Sequence, residues 1–287
     1  MKIGVLVSGN LGFICLKKIQ QQYPISFVLT DKGSTSIIEF CEENKLIYFA
    51  GNPRGGKASA QLQSPTCDVI LSINYLFIVE KDVIGLASKM AINFHGSLLP
   101  KYRGRTPHVW AIINNETETG ITAHLIDENC DTGDVLQQVK IKIESTDTGA
   151  MVLQKFNSIY PDLVFDVLKS IENNTIKITP QNNSLATYFG KRTPDDGAIN
   201  WLWQRERIRN WVRAQAKPYP GAFAFIGAKK IVIHEIEFSD FGFNQADENG
   251  KILAIENNSP IVKTENGCIK LTTFETDFIL NINDIFE

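Results

Sequence analysis

Residues 3–20 read IGVLVSGNLGFICLKKIQ, and the pattern of this stretch decides the fold class. An apolar run at Ile3–Val7 is followed by a glycine-containing turn and then by apolar residues at helical spacing, which predicts strand, loop and helix. The same order returns with a strand at Ile25–Leu29 and a helix at Ser34–Asn44, where Ser34 or Thr35 can cap the helix. Further short apolar strands are predicted at Ile47–Phe49, Val69–Ile73 and Met90–Phe94. Because strands that are apolar on both faces alternate with helices, we predict an α/β fold with a doubly wound, mostly parallel, Rossmann-like sheet.

The pattern changes in the second half of the chain. Strands at Ile121–Leu125 and Val135–Ile143 and a long helix at Ala150–Ile171 precede Asn173–Asn183, which is rich in Asn and Thr and is predicted to be a linker. Short alternating segments between residues 222 and 274 are punctuated by Gly, Asn and Asp, which predicts a small β-rich, OB-like unit. We therefore predict a first domain at 1–180 and, at 181–287, a helix followed by a small β-barrel-like domain.

Composition limits the classes of partner. The 287 residues include 29 basic and 32 acidic side chains, for a net charge of -3, which does not favour a dedicated nucleic-acid binder. No uninterrupted apolar run approaches the roughly 20 residues of a membrane span. We expect a soluble, cytoplasmic protein with a small-molecule substrate, no membrane partner and no bound metal. The five cysteines are dispersed, with no C-x-x-C pair that would predict a metal or redox site: Cys15, Cys41, Cys67, Cys130 and Cys268.

Polar side chains of types that often take part in catalysis follow two of the predicted strands. Asn93 and His95 leave the end of an apolar strand two residues apart, so both project to the same side. The turn after another strand contains Asp131. An amide donor, an imidazole and a carboxylate are suited to acyl transfer. On spacing alone, Asn-x-His is equally a loop that caps its own backbone, and Asp-Thr-Gly is equally a turn.

The complete string NFHGSLLPKYRG at 93–104, with ETGIT at 118–122 and DTGD at 131–134, closely resembles the 10-formyltetrahydrofolate-dependent formyltransferase family. The resemblance continues through 75–79, KRTPDDG at 191–197 and the segment 213–223. It implies that Asn93, His95 and Asp131 form a catalytic trio without a metal. In that scheme Asn93 donates to the developing oxyanion, His95 takes the proton of the attacking amine, and Asp131 orients His95 and favours its protonated form.

The same resemblance implies which residues contact the formyl donor. Backbone groups of two loops bind the pterin in the family, and Arg105 matches a cofactor-contacting arginine. On sequence alone, the apolar loop equally fits the buried end of a strand, and a single arginine equally fits a solvated surface charge. The matching loop residues here are Phe77, Ile78 and Val79, and Asp127, Glu128, Asn129 and Cys130.

The resemblance is strongest to sugar N-formyltransferases, which implies a UDP- or dTDP-linked amino sugar, with the amine at ring position 4, as the acceptor. The product would be an N-formyl sugar for surface polysaccharide such as lipopolysaccharide O-antigen, and a homodimer is an open expectation. The glycine-containing loop Ser8, Gly9 and Asn10 is a candidate phosphate contact on the cleft side, although as a single motif it is better explained as a simple tight turn. Lys191 and Arg192 open a basic stretch that can neutralise a pyrophosphate or form a solvated helix face.

Two alternatives remain. The first is methionyl-tRNA formyltransferase, but that branch carries a long basic insertion after the second strand, whereas only Asp31-Lys32-Gly33 stands here. The second is a non-catalytic folate-binding relative, against which the intact trio argues. Of the remaining histidines, His124 lies within a strand and is predicted to be a hydrogen-bonded core residue, and no catalytic role is assigned to His108 or His234.

Overall fold

The computed structural model describes residues 1–62 and 66–287. In chain order the first elements are β1 (Ile3–Val7), α1 (Gly9–Gln20), β2 (Ile25–Thr30), α2 (Thr35–Glu43), β3 (Tyr48–Ala50), α3 (Lys57–Leu62), β4 (Cys67–Ile73), α4 (Lys81–Ile84), β5 (Ala87–His95), β6 (Arg103–Gly104), α5 (Pro107–Ile113), β7 (Glu118–Leu125), β8 (Val135–Lys142) and α6 (Gly149–Glu172). The later elements are β9 (Tyr188–Phe189), α7 (Arg205–Ala214), β10 (Ala222–Ile226), β11 (Lys229–Ser239), β12 (Ile252–Glu256), β13 (Ser259–Thr264) and β14 (Gly267–Glu275).

Seven strands form the first sheet in the order β3-β2-β1-β4-β5-β7-β8. β1 pairs in parallel with both β2 and β4, and the pairs β2/β3 and β4/β5 are parallel as well, whereas β5 and β7 are antiparallel. The chain proceeds outward from β1 to β3 and then returns to the other side of β1 with β4. This reversal places a crevice at the carboxyl ends of β1 and β4, which is where open α/β sheets bind ligands.

The core of this sheet is built from the apolar runs. Leu6, Phe27, Leu29 and Ile70 have no exposed surface, because these strands are covered on both faces. Gly4 lets β1 approach Phe27 closely, since a Cβ at this position would lie 2.6 Å from the ring. The predicted α/β, mostly parallel fold class is confirmed.

Five strands form a separate antiparallel sheet in the order β10-β11-β14-β13-β12. Trp201 is 4% exposed and stacks on Phe286 with ring centroids 5.1 Å apart, and Trp211 donates its indole N–H to the Gly197 carbonyl. These tryptophans therefore serve the packing of their own region. The β-rich character predicted for the end of the chain is confirmed.

Two compact units are each assembled from several chain segments. The first comprises residues 1–104, 119–141 and 155–189, and the second comprises 105–118, 142–154 and 190–287. The division predicted at residue 180 stays a prediction. Within the part of the chain that the structure describes, no helix is both long and apolar enough to cross a bilayer.

Local details differ from the sequence-based expectations at the start of α2. Ser34 occupies the N-cap position, but its hydroxyl does not cap the helix. It instead accepts a hydrogen bond from the Gly9 amide at 2.9 Å and donates to the Asp31 carboxylate. The hydroxyl thus connects the loop after β1 to the loop after β2.

The burial of β4 leads to a stability prediction. We expect Leu71→Ala to lower the free energy of unfolding by about 2–5 kcal/mol, because a fully buried leucine in a central strand leaves a cavity when truncated. Leu202→Ala is the matched control, since Leu202 is 70% exposed and its truncation is expected to change stability by less than about 0.5 kcal/mol. Urea denaturation measures both, and equal effects of the two variants would contradict the assigned core.

Candidate active site

β5 presents Asn93 and His95 at its carboxyl end, on one face of the strand. Its antiparallel partner β7 places His124 opposite Asn93 and Thr122 opposite His95. Directly opposed residues project to the same side of a sheet, so the four side chains share one surface. A site at the end of β5 follows directly from this register.

The loop after β7 brings a carboxylate to the same place. Asp131 Oδ2 lies 3.6 Å from His95 Nδ1, and Asp131 Oδ1 lies 3.4 Å from Asn93 Nδ2. The side chains of His95 and Asp131 are only 8% and 10% exposed. The three residues predicted as a trio are thus brought together in a nearly water-free position.

The backbone carbonyl of Tyr102 determines which nitrogen of His95 carries the proton. His95 Nε2 lies 2.7 Å from this oxygen, which can only accept, so Nε2 must donate. In the neutral ring Nδ1 therefore holds the lone pair. Because Nδ1 is also the nitrogen that faces Asp131, a proton taken up there is stabilised by the carboxylate.

Burial and charge act in opposite directions on the two partners. Burial lowers the pKa of His95 below its ordinary value of 6.5, although Asp131 and the Tyr102 carbonyl oppose the shift. Burial alone would raise the pKa of Asp131, but His95, His124 and the Gly104 amide together hold it well below its usual range. At neutral pH the site therefore contains a neutral imidazole beside an ionised carboxylate.

His124 is a member of this cluster to which sequence reasoning assigned only a core position. Its Nδ1 donates to the Leu125 carbonyl at 2.8 Å, which leaves Nε2 as an acceptor for Asn93 Nδ2 at 3.1 Å. This contact fixes the orientation of the Asn93 amide. The antiparallel register of β5 and β7 was the missing information, since strand alternation alone places Thr122 and His124 on a common face without saying what they oppose.

The cluster has the chemical parts for acyl transfer. One amide hydrogen of Asn93 is engaged by His124, while the second makes only the long contact to Asp131 and can be redirected to a developing negative charge. His95 Nδ1 can accept a proton, and Asp131 can stabilise the resulting imidazolium.

The two loops predicted to contact a flat heterocycle lie near one another. Phe77, Ile78 and Val79 follow β4 outside the strand. Ile78 is 59% exposed, whereas Val79 is partly buried and packs against the core of the sheet. An ion pair between Lys81, in α4, and Glu128 joins this region to the loop after β7.

A cavity of about 550 Å³ adjoins the loop that carries Asp131. The Asp127 carboxylate closes a local turn by accepting from the Thr132 hydroxyl at 2.7 Å and from the Asn129 amide at 3.1 Å. Cys130 is exposed, and its Sγ lies 3.3 Å from Asp131 Oδ2. The lining residues are Arg103, Asp127, Asn129, Cys130, Thr132, Asn183 and Tyr188.

Some of the predicted phosphate contacts already form hydrogen bonds within the protein, and others are exposed. The Gly9 amide is already bonded to Ser34, and the Ser8 carbonyl accepts from Asn74 Nδ2 at 2.9 Å, while Asn10 is exposed. In the second unit, Arg192 lies over Trp211 at 4.3 Å and donates to Gln215, whereas Lys191 and Arg105 are exposed.

Among the described residues, no cluster of three or more His, Cys, Asp or Glu side chains is suited to hold a metal ion.

Comparisons with known proteins agree along the chain. The formyl transferase family matches residues 2–168, and the formyl transferase C-terminal domain matches residues 191–286. The N-formyltransferase of Helicobacter canadensis, solved with folinic acid and dTDP-3-aminofucose, has a TM-score of 0.72 at 21% identity, covering 94% of this chain and 98% of that chain. WlaRD, a sugar 3N-formyl transferase solved with dTDP and 5-N-formyl-THF, scores 0.68 at 22% identity, covering 94% and 96%. The methionyl-tRNA formyltransferase of Clostridium thermocellum scores 0.57 at 19% identity, covering 84% and 94%.

The opposed effects on His95 lead to a prediction that needs no substrate. In an NMR titration we expect the His95 imidazole to protonate below pH 6.5, and Asp131→Asn to move this pKa lower still, because the variant removes the charge that favours the imidazolium. Asp166→Asn, at an exposed position of α6, is the control and should leave the titration unchanged. A His95 pKa that does not respond to Asp131→Asn would contradict the pairing.

Proposed function

The chain belongs to the formyl transferase family, and on that premise we propose that it transfers a formyl group from 10-formyltetrahydrofolate to the amine of a nucleotide-diphosphate-linked amino sugar. The observation that carries the proposal is the buried arrangement of Asn93, His95 and Asp131, with the lone pair of His95 directed to Asp131. The proposed product is an N-formyl sugar for surface polysaccharide, including lipopolysaccharide O-antigen, and the proposed location is the cytoplasm. A homodimer and the absence of nucleic-acid and membrane partners stay predictions.

The residues present fit the proposed donor. Ile78 offers an exposed apolar side chain from the loop after β4, and the ion pair between Lys81 and Glu128 joins this region to the loop that carries Asp131. A flat heterocycle suits an apolar wall together with a few polar backbone groups. We therefore propose Phe77, Ile78, Val79 and Asp127 to Cys130 as donor contacts, with Arg105 as a further contact.

In the proposed mechanism the donor supplies an activated formyl carbon, which the neutral amine attacks. Asn93 Nδ2 donates to the formyl oxygen as negative charge develops there. His95 Nδ1 accepts the proton that the amine loses, and the same proton then passes to the folate nitrogen as its bond to the formyl carbon breaks. Asp131 stays ionised and stabilises the imidazolium between these two events.

The loop between β2 and α2 supports a small acceptor. Only residues 31–34 separate Thr30 from Thr35, so the basic insertion expected of the tRNA-formylating branch has no place here. One similar structure is an N-formyltransferase solved with dTDP-3-aminofucose, and another is a sugar 3N-formyl transferase solved with dTDP. These observations support a dTDP- or UDP-linked sugar. Ser8, Gly9, Asn10, Lys191 and Arg192 stay candidate contacts by residue type, and any contact from the Gly9 amide or Arg192 would have to share the hydrogen bonds that these groups already make to Ser34 and Gln215. The amine of the acceptor sugar is then expected at ring position 3 or 4, and acceptors of both kinds should be compared.

A panel of acceptors tests this proposal. We expect a mass increase of one formyl group when the enzyme and 10-formyltetrahydrofolate are incubated with a dTDP- or UDP-linked 3-amino or 4-amino sugar. Mass spectrometry reads the product, and methionyl-tRNA is included at moderate salt as the competing acceptor. Transfer to tRNA without transfer to any nucleotide sugar would instead support methionyl-tRNA formyltransferase, and binding of folate without any transfer would support the non-catalytic alternative.

Asp131→Asn separates catalysis from donor binding. The variant keeps the shape of the side chain but removes its charge, so we expect kcat to fall by at least about a hundredfold while donor affinity is retained. Steady-state kinetics with saturating donor measure the first quantity, and calorimetric titration of the donor measures the second. Asp166→Asn is the control, and near-normal turnover of Asp131→Asn would mean that His95 acts independently of this carboxylate.

A further inference from the structure

Gln181 contacts the main chain of the loop that carries Asp131. Its Nε2 donates to the carbonyl of Asp131 at 2.9 Å and to the carbonyl of Gly133 at 2.7 Å. Both hydrogens of the Gln181 side-chain amide are thus donated to the same loop. Gln181 lies beyond α6, within the region that the sequence predicted to be a linker at Asn173–Asn183.

Arg103 determines the orientation of this amide. Its guanidinium donates to Gln181 Oε1 from Nη2 at 2.7 Å and from Nε at 3.3 Å, and because Arg has no acceptor, the oxygen of Gln181 must face it. Arg103 is 1% exposed and is further held by Asn183 Oδ1 and the Tyr188 hydroxyl. The Gln181 amide is therefore locked from behind by a buried side chain.

The segment that contains Arg103 also holds the Asp131 side chain. β6 pairs in parallel with β9, so Arg103 lies beside Tyr188 and Gly104 beside Phe189. The Gly104 amide donates to Asp131 Oδ2 at 2.9 Å. Asp131 itself has φ of 56°, in the left-handed region that L-residues rarely adopt and that persists where the surroundings impose it.

We infer that Gln181 is a positioning residue for Asp131: it holds the left-handed backbone of this loop so that the carboxylate faces His95. This role rests on the proposed function of the trio. Gln181 itself touches neither reacting group and acts only through the carbonyls of Asp131 and Gly133.

The expected effect follows from the size of the displacement. If the loop relaxes when its two donors are removed, the Asp131 carboxylate moves away from His95 Nδ1, and misplacement by about 1 Å can cost on the order of a hundredfold in rate. We therefore expect the loss to fall on kcat, while KM for the formyl donor changes by less than about threefold.

Two variants remove the donors in different ways. Gln181→Glu keeps the shape and gives Arg103 a carboxylate partner, but turns an oxygen toward two carbonyls, whereas Gln181→Met is uncharged and cannot donate at all. Asn182→Asp is the matched control, because it adds the same charge one residue away, at an exposed side chain whose oxygen accepts from Ser184 and can still do so in the variant. Thermal melting establishes that each variant is folded.

The readouts are kcat, donor KM and the NMR titration of His95 without substrate. We expect both Gln181 variants to lose about tenfold to a hundredfold in kcat and Gln181→Met to lower the His95 pKa in the direction of Asp131→Asn, with Asn182→Asp close to wild type in each. Folded Gln181 variants with wild-type kcat and His95 titration would overturn the inference. If the wild-type enzyme transfers no formyl group, the proposed function fails, yet the titration still decides whether Gln181 positions Asp131.

Discussion

The antiparallel register of β5 against β7 is the constraint on which the site depends. The sheet is parallel from β3 to β5, and the change to antiparallel pairing between β5 and β7 places His124 opposite Asn93. The Asn93 amide thereby gains a fixed acceptor. A slip of one residue would turn His95 and Asn93 to the opposite face and separate both from Asp131. The turn after β7 then has only a short distance to cover before it returns a carboxylate to the end of β5.

Much of the fold was predictable because burial leaves a direct mark on composition. β1, β2 and β4 are covered on both faces, so their residues form continuous apolar runs, and the polar residues that interrupt these runs mark the ligand-binding edge. Asn93 and His95 were predictable for the same reason, since they stand where an apolar run ends. The role proposed for Asp131 was predictable only from the family resemblance, because an Asp-Thr-Gly turn by itself carries little information.

The residues that sequence reasoning did not assign to the site act across long chain separations. His124 is recognisable as part of the cluster only once the partner of β7 is known. Gln181 lies in a polar segment whose composition resembles any loop, yet it bonds to a turn 50 residues earlier, and Arg103 reaches Gln181 across 78 residues. Conversely, the Gly9 amide and Arg192 are candidate anion contacts by type, and only the folded chain shows that each is also hydrogen-bonded to a side chain, Ser34 and Gln215 respectively. Local pattern reports propensity and burial, whereas the assignment of hydrogen-bond partners needs the folded chain.

The hydrogen bond between His95 Nε2 and the Tyr102 carbonyl limits the ring to a single working edge. A histidine with both nitrogens accessible can collect a proton on one side and release it on the other, as a relay through the ring. Here Nε2 is bonded to the Tyr102 carbonyl, so in the proposed mechanism the proton arrives and departs at Nδ1. The proposal therefore requires the attacking amine and the departing nitrogen to approach the same side of the imidazole, one after the other.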